Sequence, residues 1–282
     1  MLETAIEAAA EAGKLLRRNF GATQHDVNLA THHDIKLELD VQAQQTITKV
    51  ILADFPDSCI LGEEGVSGNQ DADVRWVVDP LDGTVNYFYG IPHYAVSVAA
   101  QVRRSVNGDE RVLPATVGSR ETTAGGTPAP LSEGWETVAA AVLDPELDEM
   151  FVSEKGKPAM LHGHPIRVSE RTEISEAILA IGFFKDAESI SRSLETFKDL
   201  IQRVRKVRLM GAAALDVCYV ACGRYDGFIE YGVKIWDVAA GQLILENAGG
   251  RAEISPVIVG EPHALNVRMW NGKVPLAELA AR

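Results

Sequence analysis

The stretch Trp76-Val77-Val78-Asp79-Pro80-Leu81-Asp82-Gly83-Thr84 constrains the fold most, because it carries an apolar run straight into two carboxylates and a turn. A short continuous hydrophobic run bounded by turn residues suits a strand buried on both faces. A carboxylate at the end of such a strand sits at the border of a core and must find hydrogen bonds, a cation or a proton. Pro80 stiffens the turn between the acids, and Gly83 permits a sharp bend. The same plan occurs upstream, where Cys59-Ile60-Leu61-Gly62 runs into Glu63 and Glu64. Two strands thus deliver acids from their ends.

Elsewhere the periodicity is mixed. Leu2, Ile6, Ala9, Gly13, Leu16 and Phe20 recur at three- and four-residue spacing and predict a first helix. Residues 35–40 alternate like a strand and give way to helical spacing up to Pro56, which puts Asp40 at a strand-to-helix junction. Strands are predicted over 94–102 and 137–145, separated by a Gly-, Pro-, Ser- and Thr-rich excursion over 103–137. The second half reads as a strand at 177–184, an amphipathic helix over about 186–202, strands at 205–210 and 225–230 flanking a helix at 211–222, and a helix over 236–250 with Asp237 in its first turn. Helices and strands alternate unevenly and without a fixed repeat. The expectation is therefore an α+β, mixed α/β fold in layers, as one large domain or two tightly packed lobes.

The charge narrows the partners. With 40 acidic against 27 basic residues the net charge is −13, which argues against a binder of nucleic-acid backbones. A phosphate on so acidic a protein calls for a bridging cation or a local basic pocket. Cys59, Cys218 and Cys222 are too few for a disulfide framework and lack zinc spacing, and the N-terminus carries acids where a secretion signal needs bases. No apolar run reaches about 18 residues. A cytoplasmic protein with no membrane partner is expected.

Mg²⁺ takes hard oxygen ligands, and a pair of such ions can clamp the attacking and leaving oxygens of a phosphoryl transfer. Candidate ligands are Glu63, Glu64, Asp79, Asp82 and Asp237, with the Leu81 carbonyl as a further oxygen. The backbone N–H groups of Gly83 and Thr84 would face an anion if a helix starts there. Taken alone, Asp-Pro-Leu-Asp-Gly-Thr reads equally well as a turn Asp followed by a helix N-cap.

The three blocks Leu-Gly-Glu-Glu-Gly at 61–65, Trp-Val-Val-Asp-Pro-Leu-Asp-Gly-Thr-Val-Asn-Tyr at 76–87 and Trp-Asp-Val-Ala-Ala-Gly at 236–241 together resemble the inositol monophosphatase family of Mg²⁺-dependent, lithium-sensitive sugar phosphatases. The likeness extends over nearly the whole chain. It implies that Glu63, Asp79, the Leu81 carbonyl, Asp82 and Asp237 hold two or three Mg²⁺ ions, and that Thr84, Asp40 and Glu63 orient the attacking water. It also implies that Asp82, Gly83, Thr84, Gly211, Ala212, Ala213 and Glu230 contact the substrate. The implied fold is a layered helix and sheet sandwich of the inositol monophosphatase and fructose-1,6-bisphosphatase type. Its lobes would span 1–145 and 146–282, with the site between them and a homodimer as the assembly. The implied activity is hydrolysis of a small sugar or polyol phosphate, with inositol monophosphate leading. Fructose 1,6-bisphosphate, histidinol phosphate and adenosine 3′,5′-bisphosphate are alternatives. Ala212 departs from the family, whose members commonly carry Ser or Thr there.

Two rival readings are weaker. In the aspartyl-phosphate loops of haloacid-dehalogenase-like phosphatases the acids stand two apart, whereas Asp79 and Asp82 stand three apart. A non-catalytic metal- or phosphate-binding protein would be expected to lose one of the acids or the Thr84 and Asp40 pair. Cys218 with Cys222, His162 with His164, and His32 with His33 lack a third ligand and read as core or surface residues.

Overall fold

The computed structural model describes residues 1–21, 27–30, 35–104, 134–257 and 263–276. His32, His33 and most of the 103–137 excursion lie outside them. The chain opens with α1 (Leu2–Asn19), β1 (Val27–Ala30), β2 (Ile35–Leu37) and α2 (Glu38–Asp54), followed by β3 (Cys59–Gly62), β4 (Gly65–Gly68), β5 (Val74–Asp82) and α3 (Thr84–Phe88). Next come β6 (Ala95–Arg103), β7 (Trp135–Asp144), β8 (Glu149–Glu154), β9 (Met160–Leu161) and β10 (His164–Pro165). The last part holds β11 (Ile178–Phe183), α4 (Ala187–Arg203), β12 (Lys206–Arg208), α5 (Ala213–Ala221), β13 (Gly227–Lys234), α6 (Ile235–Asn247), β14 (Arg251–Pro256) and β15 (Ala264–Trp270).

Apart from the β1–β2 ribbon, these strands form an eight-stranded sheet in the order β10-β9-β8-β7-β6-β5-β3-β4 and a five-stranded sheet in the order β12-β11-β13-β15-β14. The first sheet runs past residue 145 as far as Pro165. β6 and β7 pair antiparallel with Arg103 opposite Trp135, so the excursion leaves and returns at neighbouring strand ends.

Strand alternation divides the core into layers. In the first sheet Trp76, Val78, Val98, Ala100 and Ala141 face α1 and α2, while Val77, Ala99, Ala140 and Val142 face α5 and α6. α1 meets the first sheet through Ala5, Ala8, Ala9, Ala12 and Leu16, a stripe of mostly small side chains that lets the helix lie close. In the second sheet Ala180 and Phe228 face α5 and α6, and Leu179, Ile181 and Ile229 face α4. The result is a five-layer sandwich of helices, sheet, helices, sheet and helix.

α6 is apolar nearly all round, burying Val238, Ala239, Ala240, Leu243, Ile244 and Leu245, because it packs on both sheets at once. Below the second sheet a buried polar cluster closes the fold. The Asp226 carboxylate, fully buried, accepts from the Arg171 guanidinium at 2.8 and 3.0 Å, from the Ile178 N–H at 2.8 Å and from the Ser169 hydroxyl. No helix among the described residues is long and apolar enough to cross a membrane.

Candidate active site

The sequence-predicted acids meet where the ends of β3 and β5 approach the first turns of α5 and α6. Asp79 is 1% exposed, and its Oδ1 accepts the Leu81 N–H at 3.0 Å. The β5–β6 ladder loses register between Asp79 and Asp82, as it must where Pro80 has no N–H to give. The Leu81 carbonyl accepts the Thr84 hydroxyl at 2.9 Å. Gly83 then adopts a left-handed conformation, φ 88°, and a Cβ there would stand 3.1 Å from the carbonyl oxygens of Gly211 and His93.

Asp82 reaches across 131 residues of sequence. Its two oxygens accept the N–H groups of Ala213 at 3.2 Å and Ala214 at 2.7 Å, so it caps α5, whose own preceding residue, Ala212, cannot. The cap-and-turn reading is thus correct in part: Asp82 is a cap, but for a helix in the other half of the chain. Asn86 makes a second link over the same gap, its Nδ2 donating to the carbonyls of His93 and Met210 at 2.8 Å each.

Asp237 lies in the first turn of α6, where its Oδ2 accepts the Lys234 N–H at 2.9 Å, and its carboxyl is among the neighbours that raise the pKa of Asp79. Glu63 follows β3 directly, with its N–H donated to the Val78 carbonyl at 3.2 Å, and is half-buried. Glu230 stands on β13 beside Gly182 of β11, and its carboxylate occupies the space where a side chain on Gly182 would be, 2.2 Å from an ideal Cβ. Asp40 is the third residue of α2 and accepts the Leu37 N–H at 2.9 Å, while Thr84 gives its hydroxyl to Leu81.

The charges in this region oppose one another. Burial pushes the Asp79 carboxyl well above the usual carboxylate range, and the neighbouring Glu63, Asp237 and Asp82 push it further. Burial raises Asp82 as well, with Asp237 adding to it and the Ala214 N–H opposing it. Glu230 is raised by burial and then by Asp237, Asp82 and Asp216.

An all-oxygen donor set with mutually repelling, buried carboxylates matches the chemistry of a hard divalent cation. Among the described residues no three Asp, Glu, His or Cys side chains are already closed into one coordination sphere. Asp79, Asp82 and Asp237 instead lean on backbone N–H donors, which leaves them lone pairs for a cation but sets them by the backbone.

Sequence reasoning missed Asn86, Asp216 and the partnership of Asp82 with α5. Asn86 stands inside a quoted block and Asp216 inside the helix predicted over 211–222, but neither carries chemistry that spacing can flag. Asp216 is 2% exposed on α5, its Oδ1 has no hydrogen-bond partner, and burial holds its carboxyl well above the usual range.

The profile of the inositol monophosphatase family matches residues 1–107 and 131–253. This chain belongs to the inositol monophosphatase family. It is 36% identical over 257 residues to the Nus factor SuhB of Pseudomonas aeruginosa, covering 89% of this chain and 83% of that protein. It is 34% identical over 254 residues to an inositol-1-monophosphatase of Rhizobium meliloti, covering 89% and 84%. Among solved structures, the extragenic suppressor protein SuhB of Bartonella henselae superposes with a TM-score of 0.80 at 28% identity, covering 99% of this chain and 96% of that one. Membership of the inositol monophosphatase family makes the protein a phosphoric monoester hydrolase. The layered mixed α/β fold expected from the sequence is the fold observed.

Proposed function

We propose that the protein is a Mg²⁺-dependent phosphomonoesterase of small sugar or polyol phosphates, with inositol monophosphate as the leading substrate. The observation that carries this reading is the convergence of Glu63, Asp79, Asp82 and Asp237, where burial first and then the neighbouring carboxylates raise the proton affinity of Asp79 and Asp82. Those acids and the Leu81 carbonyl would hold the cations. Bound divalent cations supply the polarisation of the phosphate and the lowered pKa of a water nucleophile.

The residues do the remaining work. Asp79 and Asp82 are held by backbone N–H groups, so their oxygens are positioned before any ligand arrives. The Thr84 hydroxyl gives its one proton to the Leu81 carbonyl, so toward the attacking water its oxygen would act as acceptor, with Glu63 and Asp40 as the further groups that would orient that water. Gly83 packs so closely against Gly211, His93 and Ala212 that no side chain fits there, which holds the backbone of the Asp82–Thr84 turn against the start of α5. Ala212 brings no side-chain hydroxyl to the start of α5, where the Ala213 and Ala214 N–H groups are already given to Asp82, so Glu230 is the side chain that would read substrate hydroxyls. Three free cysteines suit a reducing cytoplasm. At a net charge of −13, any macromolecular contact of the kind the name Nus factor suggests would be with protein rather than with a phosphate backbone.

Phosphate release from a panel of inositol, fructose, histidinol and adenosine phosphates, with Mg²⁺ or with chelator, tests the reading. Asp82→Asn should cut kcat by at least about 100-fold, the scale of losing a group that organises charge in the site. Full activity of that variant, or of the wild type in chelator, refutes metal-dependent hydrolysis. Sedimentation tests the homodimer.

A further inference from the structure

Glu63 and Glu64 form a two-residue loop between β3 and β4, since Gly62 pairs with Gly65 across the hairpin. Loops of this length normally adopt turns with positive φ at the first or both central positions, because only those match the twist of the flanking strands. Neither Glu63 nor Glu64 has a positive φ; the left-handed strain is passed to Gly65, at φ 127°. Such a loop needs support from outside the hairpin.

That support comes from α2. Gln44, 8% exposed, lies one turn beyond Asp40 on the helix face turned to the sheet. Its Oε1 accepts the Glu64 N–H at 2.9 Å and its Nε2 donates to the Gly65 carbonyl at 3.0 Å. The amide therefore clamps the loop by one donor and one acceptor, in addition to the Glu63 N–H bond with β5. Gly62 completes the fit: an ideal Cβ there would fall 2.1 Å from the Gln44 Oε1, so the amide rests directly on the glycine.

We infer that Gln44 is a positioning residue for cation binding, fixing the backbone from which Glu63 presents its carboxylate; this rests on the metal-dependent reading of the site. Only a primary amide serves here. A carboxylate keeps the acceptor but loses the donor, and an aliphatic side chain loses both. Partners that orient a metal ligand typically contribute about 10- to 100-fold in metal affinity.

The test uses the full chain stripped with chelator and titrated with Mg²⁺ by calorimetry. Wild type is compared with Gln44→Leu, Gln44→Met and, as a control on the exposed face of the same helix, Gln45→Ala. Both Gln44 variants should bind Mg²⁺ about 10-fold more weakly. The Mg²⁺ concentration for half-maximal activity should rise with it while kcat at saturating Mg²⁺ recovers, a split that a general loss of folded protein does not produce. Gln44→Met, flexible and close in volume, carries the test if the Leu variant does not fold. Unchanged Mg²⁺ affinity in either folded variant overturns the role of Gln44 alone. Absence of Mg²⁺ binding by wild type, with Glu63→Gln no different, overturns the metal reading and this role with it.

Discussion

Gly182→Ala gives a direct reading of whether Glu230 selects the substrate. An ideal Cβ at residue 182 falls 2.2 Å from Glu230 Oε2 and 2.4 Å from its Cδ, so the carboxylate must retreat by about 1 Å or more to regain ordinary contact. The atoms in conflict are the far end of a flexible side chain, and Gly182 is not in a left-handed conformation. The new methyl should stabilise the strand by roughly 0.5–1 kcal/mol, and moving Glu230 off its rotamer should cost about 0.5–1.5 kcal/mol. The two nearly cancel, and Tm should stay within about 3 °C. Function should not stay level. Misplacing a substrate-positioning group by 1 Å costs on the order of 100-fold, and a hydrogen bond to a charged group is worth about 1.5–3 kcal/mol. A fall in kcat/KM of roughly 10- to 100-fold is therefore expected. Steady-state hydrolysis of inositol monophosphate measures it, and a double-mutant cycle assigns it. On a Glu230→Ala background, Gly182→Ala should have little further effect. An equal loss on both backgrounds, or an unchanged kcat/KM in Gly182→Ala alone, refutes the idea that the methyl acts through Glu230.

Two further outcomes follow from buried acids with opposite fates. Asp226→Ala strands Arg171 and the Ile178 N–H without their buried acceptor, which should cost about 3–5 kcal/mol and lower Tm by on the order of 10 °C; a fall under about 2 °C would show that the cluster is dispensable. Asp216 behaves inversely: its folded-state pKa is raised by burial, so its ionisation costs stability as pH climbs above the ordinary Asp range. Asp216→Asn should melt higher than wild type at pH 8 and converge with it near pH 4, and a gap that does not change with pH would contradict this.

The acids of the candidate site are legible in the sequence because each ends an apolar run, and a chain rarely puts Asp79 or Asp82 there without a use for the charge. The same logic finds β5, β6 and β7, whose runs are long and continuous. It does not find β14 and β15, where Glu253 and Arg268 interrupt the apolar residues, since these strands keep one face partly in solvent. Nor can periodicity show that Asp82 caps a helix 131 positions away, or that Gln44 braces Glu63. Those links depend on which surfaces meet in space. The likeness to a known family supplies them only as far as its motif residues go, and Gln44 lies outside every block that carried the likeness.

The middle layer has a consequence for how the molecule comes apart. α5 and α6 have no complete partner in either sheet alone, because their buried faces are shared between the two. A half-melted intermediate would have to expose one side of α6, a helix with almost no polar face to offer water. The same event would withdraw Asp237 and the amide donors of Asp82, leaving Asp79 with one fewer like charge beside it. Electrostatic relief thus favours opening while hydrophobic loss opposes it, and the second is far the larger over a whole buried helix. The chain should therefore melt in a single step, and its crowded carboxylates exist side by side only in the fully closed molecule.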